Sequence, residues 1–165
     1  MTIRIAIAYT LLSATLLASP GSAQVAPSPL AVRAGWVVKA TPHTFPDLVL
    51  KLEAAIRNNR MGLVNAASAS DGAKAQGFSI PGNRVVGVYR NDFARRMLAA
   101  SIPAGIEAPV RIYLTENADG TATLSYRTPM TVFAPYFDGA GADLRKVAEE
   151  LEPIFASIAD DAAKP

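Results

Sequence analysis

The sequence predicts an α+β domain: a mainly antiparallel sheet of about five strands with two long helices on one face, in the order β-α-β-β-β-β-α. Three observations carry this. Two apolar stripes recur at helical spacing near the ends of the domain. Short β-branched runs separate them, and two adjacent runs alternate apolar and polar residues like the arms of a hairpin.

The first strand is GWVVKAT, Gly35 to Thr41. Thr44 is placed to cap the first long helix, with Pro46 in its opening turn and Asp47 at the third position, a relative of the capping box. Phe45, Leu48, Val49, Leu52 and Ile56 form one helical face, and Asn58, Asn59 and Gly62 are expected to end it. GLVNAAS reads as the next strand, followed by a Gly- and Ser-punctuated region around Asp71 to Gly77. RVVGVY, Arg84 to Tyr89, is apolar on both faces and reads as a strand covered on both sides. PVRIYLT and TATLSYRT bracket Glu116 to Gly120. A five-residue loop sets Leu114 against Ala122, Ile112 against Leu124 and Val110 against Tyr126, with Tyr113 facing Thr123 and Arg111 facing Ser125 on the other side. The last helix carries Leu144, Val147, Ala148, Leu151, Phe155 and Ile158 as one stripe, and Pro153 is expected to bend it.

Ahead of the domain, Arg4, the apolar stretch Ile5 to Ala18 and the small residues Gly21 and Ala23 describe a secretory signal peptide over residues 1–23, cut before Gln24. The apolar core falls short of the ~20 residues that span a bilayer. The membrane is therefore met only transiently, through the signal peptide, and the mature chain is expected to be periplasmic or secreted. Residues 24–34, beginning QVAPSPLAV, read as an extended leader, and residues 35–162 as a single α+β domain. Without Arg4, the 16 basic residues fall to 15 against 14 acidic ones, an excess of one that gives no reason to expect a nucleic-acid partner. The chain has no cysteine, which excludes disulfides, thiolate metal sites and a lipidated cysteine. With His43 as the single histidine, no metal site and no cofactor is expected. Nor do Gly82, Gly139 and Gly141 form a phosphate-loop or dinucleotide fingerprint.

Chemistry concentrates in three stretches. In VYRNDFARRML, Asn91 or Asp92 is placed to cap a short helix with Phe93, Ala94, Met97 and Leu98 on one side and Arg95 and Arg96 on the wet side. Arg90 stands at a strand end before that cap, as either an anion contact or half of an internal salt bridge. In PAGIEAPV, Glu107 has the most apolar surroundings of any acid in the mature chain, and reads as either the ion-pair partner of Arg90 or Arg95 or a catalytic acid. In PMTVFAPYF, Phe133, Tyr136 and Phe137 form either a lid on the core or one wall of an apolar pocket. His43 has no G-x-S-x-G phrase to serve, so a surface or capping role is expected.

The block RVVGVYRNDFARRMLAASIPAGIEAPVRIYLTENADGTATLSY resembles the centre of the domain-of-unknown-function 302 family, and the likeness extends through FPDLVLKLEAAI to the closing helix, over Gly35 to Ala162. That resemblance implies a small α+β domain of the same element order, often dimeric, in a family with no established activity. Where many members have Phe-Gly-Asn-Pro after the central strand, this chain has Val88 to Asp92, and Asn91 is the single position that corresponds.

Taken together, these features give a non-enzymatic exported domain that binds a small ligand or a protein partner. Its candidate ligand-binding residues are Arg90, Asn91, Glu107, Tyr113, Phe133 and Tyr136, with no catalytic residue assigned. An enzyme acting on a small anionic substrate with Glu107 and Arg90 stands beside that reading. A homodimer is the further expected partner, meeting across the sheet face that bears Arg111, Tyr113, Thr123, Ser125 and Arg127.

Overall fold

The computed structural model describes residues 30–165. The expected signal peptide, residues 1–23, and the first part of the expected leader, residues 24–29, lie outside the described residues. Strand β1, Trp36–Thr44, runs three residues past its expected end because its pairing slips between Thr41 and Thr44 and then resumes. The slip falls at Pro42, which has no amide hydrogen to give to a ladder. Thr44 then caps helix α1, Phe45–Asn58. Its hydroxyl oxygen accepts the Asp47 amide at 3.3 Å, and its hydroxyl donates to the Asp47 carboxylate at 2.7 Å. Leu48, Val49, Leu52 and Ile56 are buried as the spacing requires. The helix ends at Asn58 with Asn59 as its C-cap, as expected of those two residues, while Gly62 instead opens the next strand. Arg60 takes the left-handed conformation (φ 57°), and the Asn59 side-chain amide donates to Ala55 O and to Asp161.

Gly62–Ala67 forms β2, and a seven-residue helix α2, Ala69–Ala75, follows under a Ser68 cap. β3 is Asn83–Tyr89 and helix α3 is Asn91–Ala100. The cap of α3 is Arg90, with no side-chain cap bond, so neither Asn91 nor Asp92 has that role. Phe93, Ala94 and Met97 are buried, whereas Leu98 is exposed. A 3-10 turn, Pro103–Glu107, leads into the hairpin β4, Val110–Glu116, and β5, Thr121–Arg127.

The hairpin register differs from expectation by two residues. Leu114 faces Leu124 and Ile112 faces Tyr126. The loop is shorter because Asn117 donates its amide to Thr121 O at 2.8 Å and Gly120, in the left-handed region, turns the chain. A slip of two preserves the faces, so the apolar residues still share one side. Helix α4, Pro129–Phe133, and a 3-10 turn, Ala134–Tyr136, precede α5, Phe137–Ala163. Helical geometry continues through Pro153, and the departure from it is at Gly141 (φ 63°, ψ −156°). Pro153 is exposed, so the carbonyl its ring leaves unpaired can be met by water.

The sheet is five-stranded and antiparallel, in the order β1-β5-β4-β3-β2. Leu48, Leu52 and Ile56 of α1 and Leu144, Phe155 and Ile158 of α5 are fully buried with Ile112, Leu114 and Leu124 of the hairpin. Both long helices therefore cover one face, and the other is left for the site. Among the described residues no helix is long and apolar enough to cross a membrane.

Candidate functional site

The ladder registers arrange the open face in rows that run across the strands. The central row is Val38, Ser125, Tyr113, Val85 and Ala67. Below it, Trp36 pairs with Arg127, and Arg111 pairs with Gly87. One step beyond the Ile112–Tyr126 pair, the same register sets Arg111 opposite Arg127. Above it, Ala40 pairs with Thr123, Thr123 with Thr115, and Thr115 with Asn83. Gly87 is glycine for a steric reason: a Cβ there would lie 2.1 Å from Asn65 Oδ1 and 2.6 Å from the Pro109 ring.

This face holds a recess of about 590 Å³, walled by Trp36, Ala67, Val85 and Val132 and carrying Asn83, Glu107, Arg111, Tyr113, Ser125 and Arg127. Ser125 and Thr123 are buried and satisfied, the first donating to Tyr113 O at 3.5 Å and the second to Asn117 Oδ1 at 3.0 Å. Arg127 donates to Thr131 O at 3.3 Å. Glu107 accepts the Tyr136 hydroxyl at 3.0 Å. Burial of the Tyr136 ring, then that hydrogen bond and the Glu107 charge, hold its phenol above the ordinary value, with Arg127 opposing.

The six residues singled out from sequence do not converge. Glu107 and Tyr113 line the recess, and Tyr136 touches it through Glu107. Arg90 is elsewhere. Its guanidinium grips Asp92 through two bonds, Nε to Oδ1 at 2.7 Å and Nη2 to Oδ2 at 3.1 Å, and lies 4.3 Å from the centre of the Phe93 ring. Of the two roles open to Arg90, the internal salt bridge is the one formed. That bond holds the Asp92 carboxyl below its ordinary range. Glu107 thus pairs with neither Arg90 nor Arg95, because its 3-10 turn directs it toward α4 and Tyr136. Nor is it fully buried.

Phe133 is a core residue, bordering with Arg90, Phe93, Met97 and Phe155 an apolar gap of about 30 Å³. Phe137 is buried beside it, so 129–137 acts mainly as the lid on the core, with Val132 reaching the recess. Asn91 is exposed at the start of α3, 3.5 Å from the Tyr89 hydroxyl. Arg96 forms a paired contact with Glu150, both bonds 2.7 Å. His43 meets Lys164 O at 2.8 Å, a surface tie. Among the described residues no group of three or more His, Cys, Asp or Glu could hold a metal ion.

Trp36, Val85, Arg111 and Arg127 are recess residues that the sequence candidates omit. Arg111 and Arg127 stand on the expected outer face of the hairpin, but the expected register opposes Arg111 to Ser125 and hides their proximity.

An antiparallel five-stranded sheet with its two long helices on one side defines a mixed α+β domain. The family described as a domain of unknown function, DUF302, matches residues 37–159, and the chain belongs to it. The fold is similar to that in the crystal structure of an uncharacterized conserved DUF302 protein from Bacillus stearothermophilus, with a TM-score of 0.68 at 14% identity, covering 80% of this chain and 100% of that one. Comparison with curated proteins gave no match.

Proposed function

We propose that this chain is an exported domain that binds a small ligand, without catalysis, on the open face of its sheet. The observation that carries this is the recess of about 590 Å³, with apolar walls and a few inward polar groups. Small-molecule sites commonly fall in the range of ~300–1,000 Å³ with that same composition. The enzyme reading needs Glu107 and Arg90 together; they border different cavities, and Arg90 is committed to Asp92. Export rests on the charge, apolar run and small-residue exit of residues 1–23. A homodimer, the habit suggested by the family resemblance, would use this same uncovered face.

The test is native mass spectrometry of protein recovered outside the cytoplasm, with its N-terminus sequenced. The expected result is a chain beginning near Gln24 that retains a small molecule, and loses it in a Val85→Trp variant that fills the recess. Retention undiminished in a folded Val85→Trp protein would move the ligand elsewhere. An intact residue 5–18 segment in a membrane fraction would overturn export.

A further inference from the structure

We infer that the recess selects an amphipathic anion, with one carboxylate- or sulfonate-type acid group seated between Arg111 and Arg127 and an apolar body lying toward Trp36, Val85 and Ala67. This rests on the ligand-binding reading above and gives it a chemical class. Directly opposed residues on neighbouring antiparallel strands have Cβ atoms about 4.5–5.5 Å apart, and like charges so placed destabilise the sheet. The β4–β5 register, continued one residue beyond the Ile112–Tyr126 pair, sets Arg111 and Arg127 in that relation. Among the described residues neither has an ion-pair partner. The one carboxylate in the recess, Glu107, accepts the Tyr136 hydroxyl instead.

Two guanidinium groups on neighbouring strands can both donate to one acid group, which removes their mutual repulsion and forms charge-assisted bonds. Arg127 is already oriented by its bond to Thr131 O, so part of the receptor is set before the ligand arrives. The central row then gives the rest of the molecule its surface: Val85 and Ala67 are apolar, and Tyr113 offers both a ring and a hydroxyl. A dianion is less suited than a monoanion, because Glu107 stands at the same recess and would repel a second charge.

Two fluorescent probes that differ by one acid group make the test: 8-anilinonaphthalene-1-sulfonate and neutral N-phenyl-1-naphthylamine. Each is titrated into the purified full chain after export, with circular dichroism confirming the fold of every variant. The sulfonate is expected to bind at least about tenfold more tightly, a difference readily read by titration. Arg111→Gln and Arg127→Gln should each erase that preference while leaving the neutral probe unaffected, and Arg127→Lys should retain part of it. Unliganded Arg111→Gln should also melt above the parent protein at low salt, because one of two opposed charges is gone. Equal binding of both probes, unchanged by the arginine variants, would overturn the anion site and leave an apolar recess standing. Binding of neither probe would overturn both readings. So would a parent protein that is dimeric by light scattering and binds neither probe, since a second copy of the chain would then be the occupant.

Discussion

Phe155→Ala is the substitution with the largest expected effect on the scaffold behind the site. Phe155 lies on α5, fully buried, with its ring centroid 5.7 Å from that of Tyr126 on β5. Tyr126 stands between Ser125 and Arg127, whose positions belong to the recess, so Phe155 supports the site from beneath the sheet. Truncating a core phenylalanine to alanine costs about 3–5 kcal/mol, the larger values arising where the cavity cannot collapse. Phe155 already borders a gap of about 30 Å³, so the new void would join an existing one. A tilted aromatic pair at this separation contributes a further ~0.5–1.5 kcal/mol beyond area alone, part of which is already in the truncation range. The expected loss is therefore about 4 kcal/mol. At ~2–4 °C per kcal/mol for a domain near this size, melting should fall by roughly 8–16 °C. Chemical denaturation with the slope unchanged measures it directly. A loss under ~1 kcal/mol would refute the docking of α5 on β5 as described.

Gly35→Ala should destabilise by about 1–3 kcal/mol by overpacking, since Gly35 has φ +73° and a Cβ there would meet Thr131 Oγ1 at 2.3 Å. Gly139→Ala, with open space around it in a helix, should instead raise the denaturant midpoint or leave it unchanged. Burial, then the charges of Glu152 and Asp160, push the Tyr126 phenol up to about 12. A pKa raised on folding gives stability that is complete below the unfolded value of ~10 and is lost as pH climbs toward the folded one. Ultraviolet titration should thus find one late phenol near pH 12 that Tyr126→Phe removes, and a Tyr126 titrating with the others would contradict its burial. Light scattering on the parent protein and on Tyr113→Glu tests the homodimer: a parent dimer that becomes monomeric is expected, and a monomeric parent or a dimeric variant excludes an interface across this face.

The scaffold was legible where a residue's neighbours in sequence decide its environment. Thr44 and Asp47 make a cap from residues three apart, and the stripes of α1 and α5 follow from helical spacing, so both were readable. Termination was legible in Asn58 and Asn59, where α1 ends, but not in its means. Asn59 and Arg60 end α1 partly through Asp161, which is distant in sequence, and this outweighed the intrinsic freedom of Gly62. Pro153 carries the strongest local signal for a bend, yet the non-helical residue is Gly141, before α5 packs on the core. Glu107 was similarly misread. Its apolar neighbours suggested a buried ion pair, but which group a 3-10 turn points toward depends on where α4 and Tyr136 return in space.

The recess was hidden by a subtler limit. Alternation fixes which face of a strand each residue occupies, because an error of one residue exposes the whole apolar set. An error of two residues leaves every face assignment intact, so the apolar pattern has no power to detect it. The hairpin shows this: Val110, Ile112 and Leu114 occupy the core side under either register. Yet a site is made of cross-strand neighbours, and those change completely with a shift of two. In the expected register Arg111 opposes Ser125 and suggests nothing; in the folded protein the register, carried one residue past Ile112–Tyr126, sets it against Arg127, which pairs with Trp36. The discriminating feature is local and small, the Asn117–Thr121 pair with left-handed Gly120 that closes the shorter loop. An Asn-Ala-Asp-Gly-Thr turn thus decides whether two arginines become cross-strand neighbours on the far side of the sheet. The same apolar pattern that made the core readable is silent about that outcome, because the energy that selects the faces is indifferent to which polar residues become neighbours on the open one.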